Sequence, residues 1–209
     1  REGITPEKPE GESWKKLDEE KEFSQVAVGD SKNIWAVNDE KIGGIYQRIG
    51  FSKENPLGVR WKYIGGIPKK ILNLSLSGNK IIAIAKEGPT FLRKDNTWEN
   101  VGSVGFTQVS GDKSVWAVNT LDHHRIHMSE NMTTEEPNFK PIGGALKWVA
   151  TDPEGKHVWG ANSNNDIYAQ AGLTDDKKVG DWLHVSKGKL KQVSIGGLPK
   201  PVAEEGVEL

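Results

Sequence analysis

Four short phrases of sequence recur in the same order along this chain, and this internal repeat restricts the possible folds more than any other feature. The first phrase of each repeat opens on an aromatic residue, and successive openings lie 47, 37, 41 and 43 residues apart. The five openings are Trp14, Trp61, Trp98, Phe139 and Trp182. Such a period indicates a repeat architecture, in which each unit buries its apolar surface by stacking on its neighbours.

The remaining phrases are rich in β-branched and aromatic residues and are separated by Gly, Asn, Asp and Lys. The second phrases are Phe23–Val28, Ile71–Leu76, Phe106–Ser110, Leu146–Ala150 and Leu190–Ile195. The third phrases are Ile34–Asn38, Ile81–Ala85, Val115–Asn119 and Val158–Asn162. The fourth phrases are Ile45–Arg48, Phe91–Arg93, Arg125–Met128 and Ile167–Gln170. This composition is typical of short strands joined by tight turns.

Four strands in about 42 residues make one blade of a β-propeller. We therefore predict an all-β propeller of five four-stranded blades, with six blades as the alternative. In the fifth blade, residues 190–209 would supply three inner strands and Trp14–Leu17 the outer strand, so that the two chain ends pair and close the ring. Pro199 and Pro201 weaken this assignment, because proline cannot donate to a strand ladder. Residues 14–209 then form a single propeller domain, and residues 1–13 form a flexible leader.

Composition excludes several functional classes. The chain has 28 basic and 29 acidic residues and a formal charge of −1, so no strong field would attract nucleic acid or an anionic membrane. It has no cysteine, which excludes disulfides and thiolate chemistry and favours the cytoplasm, while a secreted or cell-surface location stays open. No apolar run is long enough to predict membrane insertion. Because the chain begins at Arg1, a leader removed earlier also stays open.

Enzyme signatures are missing from the sequence. There is no nucleophile elbow, no phosphate-binding glycine loop and no H-E-x-x-H zinc motif, so we predict no catalytic residues, no cofactor and no metal site. His123, His124 and His127 are assigned to a solvated loop, because no carboxylate completes a metal-binding pattern around them. A glycosidase pair of carboxylates remains an open alternative.

The phrases Phe23–Gly29, Ile34–Asn38 and Ile45–Arg48 resemble the tectonin repeat, as do Val158–Asn162 and Leu190–Gly196. The similarity extends over roughly residues 14–196 and places the chain near the tectonin-type β-propeller lectins of fungi, slime moulds and animals, to which fish-egg lectin is related. This resemblance implies a lectin of innate defence, and we expect a monomer or a small oligomer. Its ligands would be cell-surface glycans, including O-methylated sugars and bacterial lipopolysaccharide. A propeller that binds other proteins instead is the alternative function.

Candidate sugar-binding residues recur at the ends of the third and fourth phrases. Sugars are held by aromatic faces and by planar polar groups, and loops on a rigid scaffold often carry such groups. The candidates are Asn38, Asn119, Asn162, Tyr46, Tyr168, Arg48, Arg125, Trp35, Trp116 and Trp159. The three Trp side chains serve either as ligand contacts or as core packing, and the three Asn side chains either bind sugar or close turns. Among the opening aromatics, Trp14, Trp61, Trp98 and Trp182 are either ligand platforms or covers over the blade rim.

Overall fold

A computed structural model provides the structure of the chain. It describes residues 3, 5–17, 21–30, 32–77, 80–103, 105–112, 114–130, 138–152, 155–170, 180–186 and 189–195. The chain divides into two compact units, residues 1–71 and 72–209, which we describe separately. Within the described residues, every long element is a β-strand, and none is a helix with the length and apolar character needed to cross a membrane.

The first unit contains one antiparallel four-stranded sheet whose strands follow chain order. The strands are β1 (Gln25–Asp30), β2 (Asn33–Val37), β3 (Ile45–Ile49) and β4 (Arg60–Tyr63). Trp35, Val37 and Ile45 are buried, because β2 and β3 are the central strands of the sheet. Earlier in this unit, Thr5 and Lys8 form an isolated antiparallel bridge.

The second unit contains three more sheets of the same kind, each also in chain order. One sheet comprises β5 (Ile71–Ser77, which starts at the unit boundary), β6 (Lys80–Ala85), β7 (Pro89–Lys94) and β8 (Thr97–Ser103). The next comprises β9 (Gln108–Ser110), β10 (Val115–Asn119), β11 (Arg125–Ser129) and β12 (Lys140–Ala145). The last comprises β13 (Trp148–Thr151), β14 (Val158–Ala161), β15 (Ile167–Gln170) and β16 (Trp182–Ser186).

The core of the second unit lies between successive sheets, and β10 contributes to both sides of it. Val115 and Ala117 pack with Ile82, Ile84 and Leu92 of the preceding sheet. In the same strand, Trp116 and Val118 pack with Leu146, Val149 and Val158 towards the following sheet. Side chains alternate between the two faces of a strand, so one apolar run serves two interfaces. This explains why the third phrases are apolar up to their last residue, which is asparagine in three of the four.

Side chains from one innermost strand also bond to the backbone of the next repeat. Asn73 Oδ1 accepts a hydrogen bond of 3.2 Å from the Val109 N–H. Gln108 bonds to both backbone groups of Val149, accepting from N–H and donating to C=O at 2.8 Å each. Trp148 Nε1 donates to the Val193 carbonyl at 2.9 Å. We call these three links the inter-blade contacts. The donors and acceptors hold the same position in their repeats, since Asn73, Gln108 and Trp148 are each the third residue of a second phrase.

The prediction of five blades, with six as the alternative, was wrong for the described residues, which form four blades. Trp14–Leu17 lies outside the strands, and Trp14 is 78% exposed, so a strand there would bury little apolar surface. Leu190–Ile195 is also not a strand, although it receives the hydrogen bond from Trp148. A strand needs a ladder partner, and the rest of the predicted fifth blade, residues 196–209, lies outside the described residues. The single domain over residues 14–209 stays a prediction.

Candidate functional site

The three strand-end asparagines close the loops that follow their strands. Asn119 Oδ1 accepts hydrogen bonds of 3.0 Å from the N–H groups of Leu121 and Asp122. Asn38 and Asn162 do the same, each accepting from the N–H group two residues later, at 3.0 and 2.9 Å. These are Asx turns, in which the side chain replaces a backbone acceptor. The amide oxygens are therefore engaged within the protein, and a sugar-binding role for these asparagines stays a prediction.

The mid-strand tryptophans are mainly core residues. Trp35 is 2% exposed and Trp116 is 0% exposed, so neither ring presents a face to solvent. Trp35 Nε1 donates to Asn33 Oδ1 at 2.7 Å, whereas Trp116 Nε1 has no hydrogen-bond partner among the described residues. Trp159 is half-buried. Packing explains the first two, and a binding role remains a prediction for all three.

Tyr46 and Tyr168 both pack against neighbouring rings. Tyr46 is buried, with its ring centroid 5.4 Å from Phe23 and 5.3 Å from Tyr63. Tyr168 is half-buried, 5.1 Å from the His184 ring. Both rings thus pack within their blades, and a sugar-binding role for the two tyrosines stays a prediction.

Arg125 is the exposed member of the predicted set. It lies directly opposite Asn119 in the β10–β11 register, so the structure brings these two candidates together at one end of the blade. Its Nε is 3.6 Å from Asp122 Oδ2, with both side chains largely in solvent. Such a surface pair stabilises the fold little, which leaves the guanidinium available for a ligand.

The outer strands contain a recurring pair that sequence reasoning did not assemble. In three blades, the last residue of a fourth phrase lies directly opposite a tryptophan on the outermost strand. The pairs are Arg48 with Trp61, Arg93 with Trp98 and Gln170 with Trp182, and we call them the outer pairs. In the third blade Met128 faces Lys140, so this blade has no such pair. The signal in the sequence was a planar polar residue ending the fourth phrase, followed by a tryptophan opening the next repeat.

Each outer pair combines an indole ring with a planar hydrogen-bonding group. The guanidinium carbons of Arg48 and Arg93 lie 5.4 and 5.2 Å from the centroids of their partner rings, which is cation–π distance. The three tryptophans are half-buried, so part of each ring is accessible. Partial burial lowers the pKa of Arg93 from its usual value. Arg48 and Gln170 are only 4% and 7% exposed, whereas Arg93 is half-buried. Arg93 and Trp98 are therefore the outer pair best placed to bind the apolar face and the hydroxyl groups of a sugar together.

The closest pairing of a histidine with a carboxylate lies between β13 and β14. His157 Nδ1 is 2.6 Å from Asp152 Oδ2, and the Lys156 N–H donates to the other carboxylate oxygen. Burial raises the pKa of Asp152, but the hydrogen bonds from His157 and the backbone outweigh it and the pKa is lowered. The pair holds a turn together. In the part of the chain that the structure describes, no group of three or more His, Cys, Asp or Glu side chains could hold a metal ion.

Four-stranded antiparallel blades that follow one another along the chain define the β-propeller class. The family model for the Tectonin domain matches residues 70–200, and a second model, described as Propeller, matches residues 1–17. Since the first match covers more than half of the chain, the protein belongs to the tectonin family. The resemblance inferred from the repeats is thereby confirmed. A comparison with curated protein sequences gave no match.

Solved structures support the same fold at low sequence identity. The crystal structure of human WBSCR16 is similar with a TM-score of 0.57 and 15% identity, over 87% of this chain and 59% of that one. A structure of Kap60 bound to yeast RCC1 (Prp20) is similar with a TM-score of 0.58 and 13% identity, over 84% of this chain and 52% of that one. This chain thus spans little more than half the length of either structure. Identities this low show a shared fold and nothing about ligands.

Proposed function

We propose that the protein is a multivalent lectin, which binds cell-surface glycans through repeated sites and catalyses no reaction. The observation that carries this proposal is the recurrence of the outer pairs in three blades. Each pair supplies an accessible aromatic ring and a planar group, either the guanidinium of Arg48 or Arg93 or the amide of Gln170. The family membership supports the same conclusion. The resemblance to tectonin-type lectins favours O-methylated sugars and bacterial lipopolysaccharide as the first ligands to test.

The chemistry of the outer pairs suits weak, repeated recognition. An indole ring attracts the polarised C–H groups of a pyranose face, and in the Arg93–Trp98 pair the half-buried guanidinium also supplies donors for adjacent hydroxyls. Both groups lie on paired strands, so the ladder fixes their separation before any ligand arrives. Arg125 and the loop closed by Asn119 add an exposed donor in the third blade, which lacks an outer pair.

A glycan array followed by site-directed variants tests the proposal. Arrays bearing natural and O-methylated glycans should retain the protein, and free sugar should release it. Arg93→Met keeps the apolar stem but removes the donors, and we expect it to weaken binding of the identified monosaccharide at the Trp98 site about tenfold or more. Lys94→Met is the matched control. It removes a neighbouring charge whose only described partner is the exposed Glu99, at 3.8 Å, and should leave binding unchanged.

Two outcomes would contradict the proposal at different levels. If Arg93→Met and Lys94→Met bind the sugar equally well, the outer pairs are not the sites. If the array remains blank at high protein concentration, the protein is not a lectin. A protein partner whose capture is insensitive to free sugar would then support a protein-interaction propeller instead.

A further inference from the structure

Arg48 is a buried cation with an unusual set of partners. Its side chain is only 4% exposed, yet no carboxylate among the described residues lies within ion-pairing distance of it. Its Nε and Nη2 donate to the carbonyls of Leu57 and Gly58 at 3.0 Å each. A guanidinium has five N–H donors, so these two bonds leave much of its charge and donor capacity unused. Burying a charge without a counter-charge is costly, which suggests that an external anion completes this environment.

The loop between β3 and β4 is shaped around this guanidinium. Gly58 has a φ of 71°, and a Cβ added there would lie 3.1 Å from Arg48 Cγ. A side chain at this position would therefore strain the backbone and press on the arginine. The Val59 N–H donates to the Ile49 carbonyl at 2.8 Å and closes the base of the loop. Arg48 is thus held in place before any ligand binds.

A cleft of about 310 Å³ opens beside Arg48, within the first unit. Its volume is at the lower end of the range for small-molecule sites, roughly 300–1,000 Å³. Lys15 and Lys16 line it together with Arg48 and bring two further positive charges. Leu17 and Leu57 also line it and are 40% and 37% exposed, so the cleft has apolar surface as well.

One carboxylate, Glu54, also lines the cleft. The carboxylate of Glu54 accepts a hydrogen bond from its own backbone N–H and another from Ser52 Oγ, at 2.9 Å. Both bonds lower the pKa of this carboxyl, so it is ionised at neutral pH. Its Oε2 is already occupied by Ser52, and Glu54 does not pair with Arg48. Among the described residues that line the cleft, three are basic and one is acidic.

We propose that this cleft binds the anionic group of an acidic sugar, either a uronic carboxylate or a phosphate ester, with Arg48 as its central donor. The remaining N–H groups of Arg48 match the planar pair of oxygens in such groups. Lys16 adds attraction, while Leu17 and Leu57 contact the sugar ring. This inference rests on the proposed function in one respect, namely that the bound anionic group belongs to a sugar. It concerns only the cleft beside the first blade.

Titration with charged and neutral probes tests the site. Trp61 lies against the Arg48 guanidinium, so its indole N–H resonance, assigned with Trp61→Phe, reports on the cleft. We expect glucose 6-phosphate and glucuronate to shift this resonance in a saturable, salt-sensitive manner, and glucose at equal concentration to leave it unchanged. Inorganic phosphate alone should compete if the oxyanion supplies most of the affinity. Equal shifts with glucose, or no shift with either charged sugar, would overturn the proposal.

Two charge-reversal variants distinguish binding in the cleft from a general effect of the protein's net charge. Lys16→Glu changes an exposed residue of the cleft lining, and we expect it to weaken binding of glucose 6-phosphate about fivefold or more. Lys62→Glu makes the same change at an exposed position of β4 that does not line the cleft, and should alter binding less than about twofold. Equal effects of the two variants would overturn the proposal. Neutral glycans retained on an array without any response to charged sugars would remove this inference and leave the lectin proposal standing.

Discussion

Asn119 illustrates how one side chain serves either structure or ligand. Its amide oxygen accepts two backbone N–H groups in the loop after β10. We expect Asn119→Ala to lower the free energy of unfolding by about 1 kcal/mol, because these donors lose their partner. Urea unfolding measures this change. Asn164→Ala is the control, since the Asn164 side chain makes no hydrogen bond among the described residues and its loss should cost little.

The same variant also tests the ligand interpretation. If Asn119→Ala leaves unfolding unchanged but weakens glycan binding, the residue acts on the ligand and its Asx turn is incidental. Sequence reasoning alone could not decide between the two, since an asparagine at a strand end satisfies both descriptions.

The assignment of His127 to a solvated loop was wrong, because the residue lies in β11. There it makes the stability of the third blade dependent on pH. Both ring nitrogens are buried without a hydrogen-bond partner among the described residues, and the ring lies 5.3 Å from Phe106. Burial lowers the pKa of His127, Arg125 lowers it further, and Asp122 opposes them. The unfolded chain therefore binds the proton more readily. The stability that His127 contributes at neutral pH is lost as the pH falls below the unfolded pKa of about 6.5.

Unfolding measured at pH 7.5 and pH 5 checks this expectation. His127→Asn removes the titrating group, so the difference in unfolding free energy between the two pH values should shrink. His123→Asn is the matched control at an exposed position with a φ of 51°, which asparagine tolerates, and the difference should stay as in the parent protein. Equal pH dependence in the parent protein and in His127→Asn would contradict the assignment.

At the scale of the strand, three second phrases begin two residues before the strands they predict, whereas β5 begins with its phrase at Ile71. Phe106 and Leu146 open their phrases, but β9 begins at Gln108 and β13 at Trp148. Both opening residues are almost fully buried and pack in the two core clusters. Periodicity locates the apolar residues, whereas the ends of a strand depend on where ladder bonding starts, which a pattern of side chains does not specify.

Gln108 is the strongest of the inter-blade contacts, because it bonds to both the N–H and the C=O of Val149. We expect Gln108→Leu to lower the free energy of unfolding by about 1–3 kcal/mol for each buried backbone group left unpaired. Gln192→Leu is the matched control, since Gln192 holds the same position in the fifth repeat but is exposed. Denaturant unfolding of the two variants should therefore differ clearly, and equal losses would show that these hydrogen bonds do not hold neighbouring sheets together.

For the chain as a whole, the period of the repeat was sufficient to predict an all-β propeller, and the resemblance of its phrases to the tectonin repeat predicted the family. The number of blades was not predicted correctly, because Leu190–Ile195 keeps the phrase without forming a strand. The outer pairs were also missed as a site. The members of each pair were visible in the sequence, but Arg48 and Trp61, like Gln170 and Trp182, are separated by a long connection between their strands, and their pairing depends on the register across it. Local patterns do not determine such a register.

At the scale of the whole chain, we expect several sites to bind one glycan-coated surface at the same time. If the outer pairs act together, the apparent affinity for a glycan-coated surface should exceed that for the free monosaccharide by roughly 10²–10⁴. Surface plasmon resonance at low and high glycan density measures this ratio. Removing one site with Arg93→Met should lower the affinity at high density by more than the fraction of sites lost. An affinity independent of glycan density would indicate a single working site.

The inter-blade contacts have a consequence for how such chains change over time. The side chains of Asn73, Gln108 and Trp148 bond to main-chain N–H or C=O groups of the following repeat, and every residue type except proline offers both groups there. A repeat can therefore lose most of its sequence similarity and still accept these hydrogen bonds from the preceding repeat. The surface residues of each blade can then change under selection while the inter-blade contacts persist. Neighbouring blades can in this way evolve to bind different ligands.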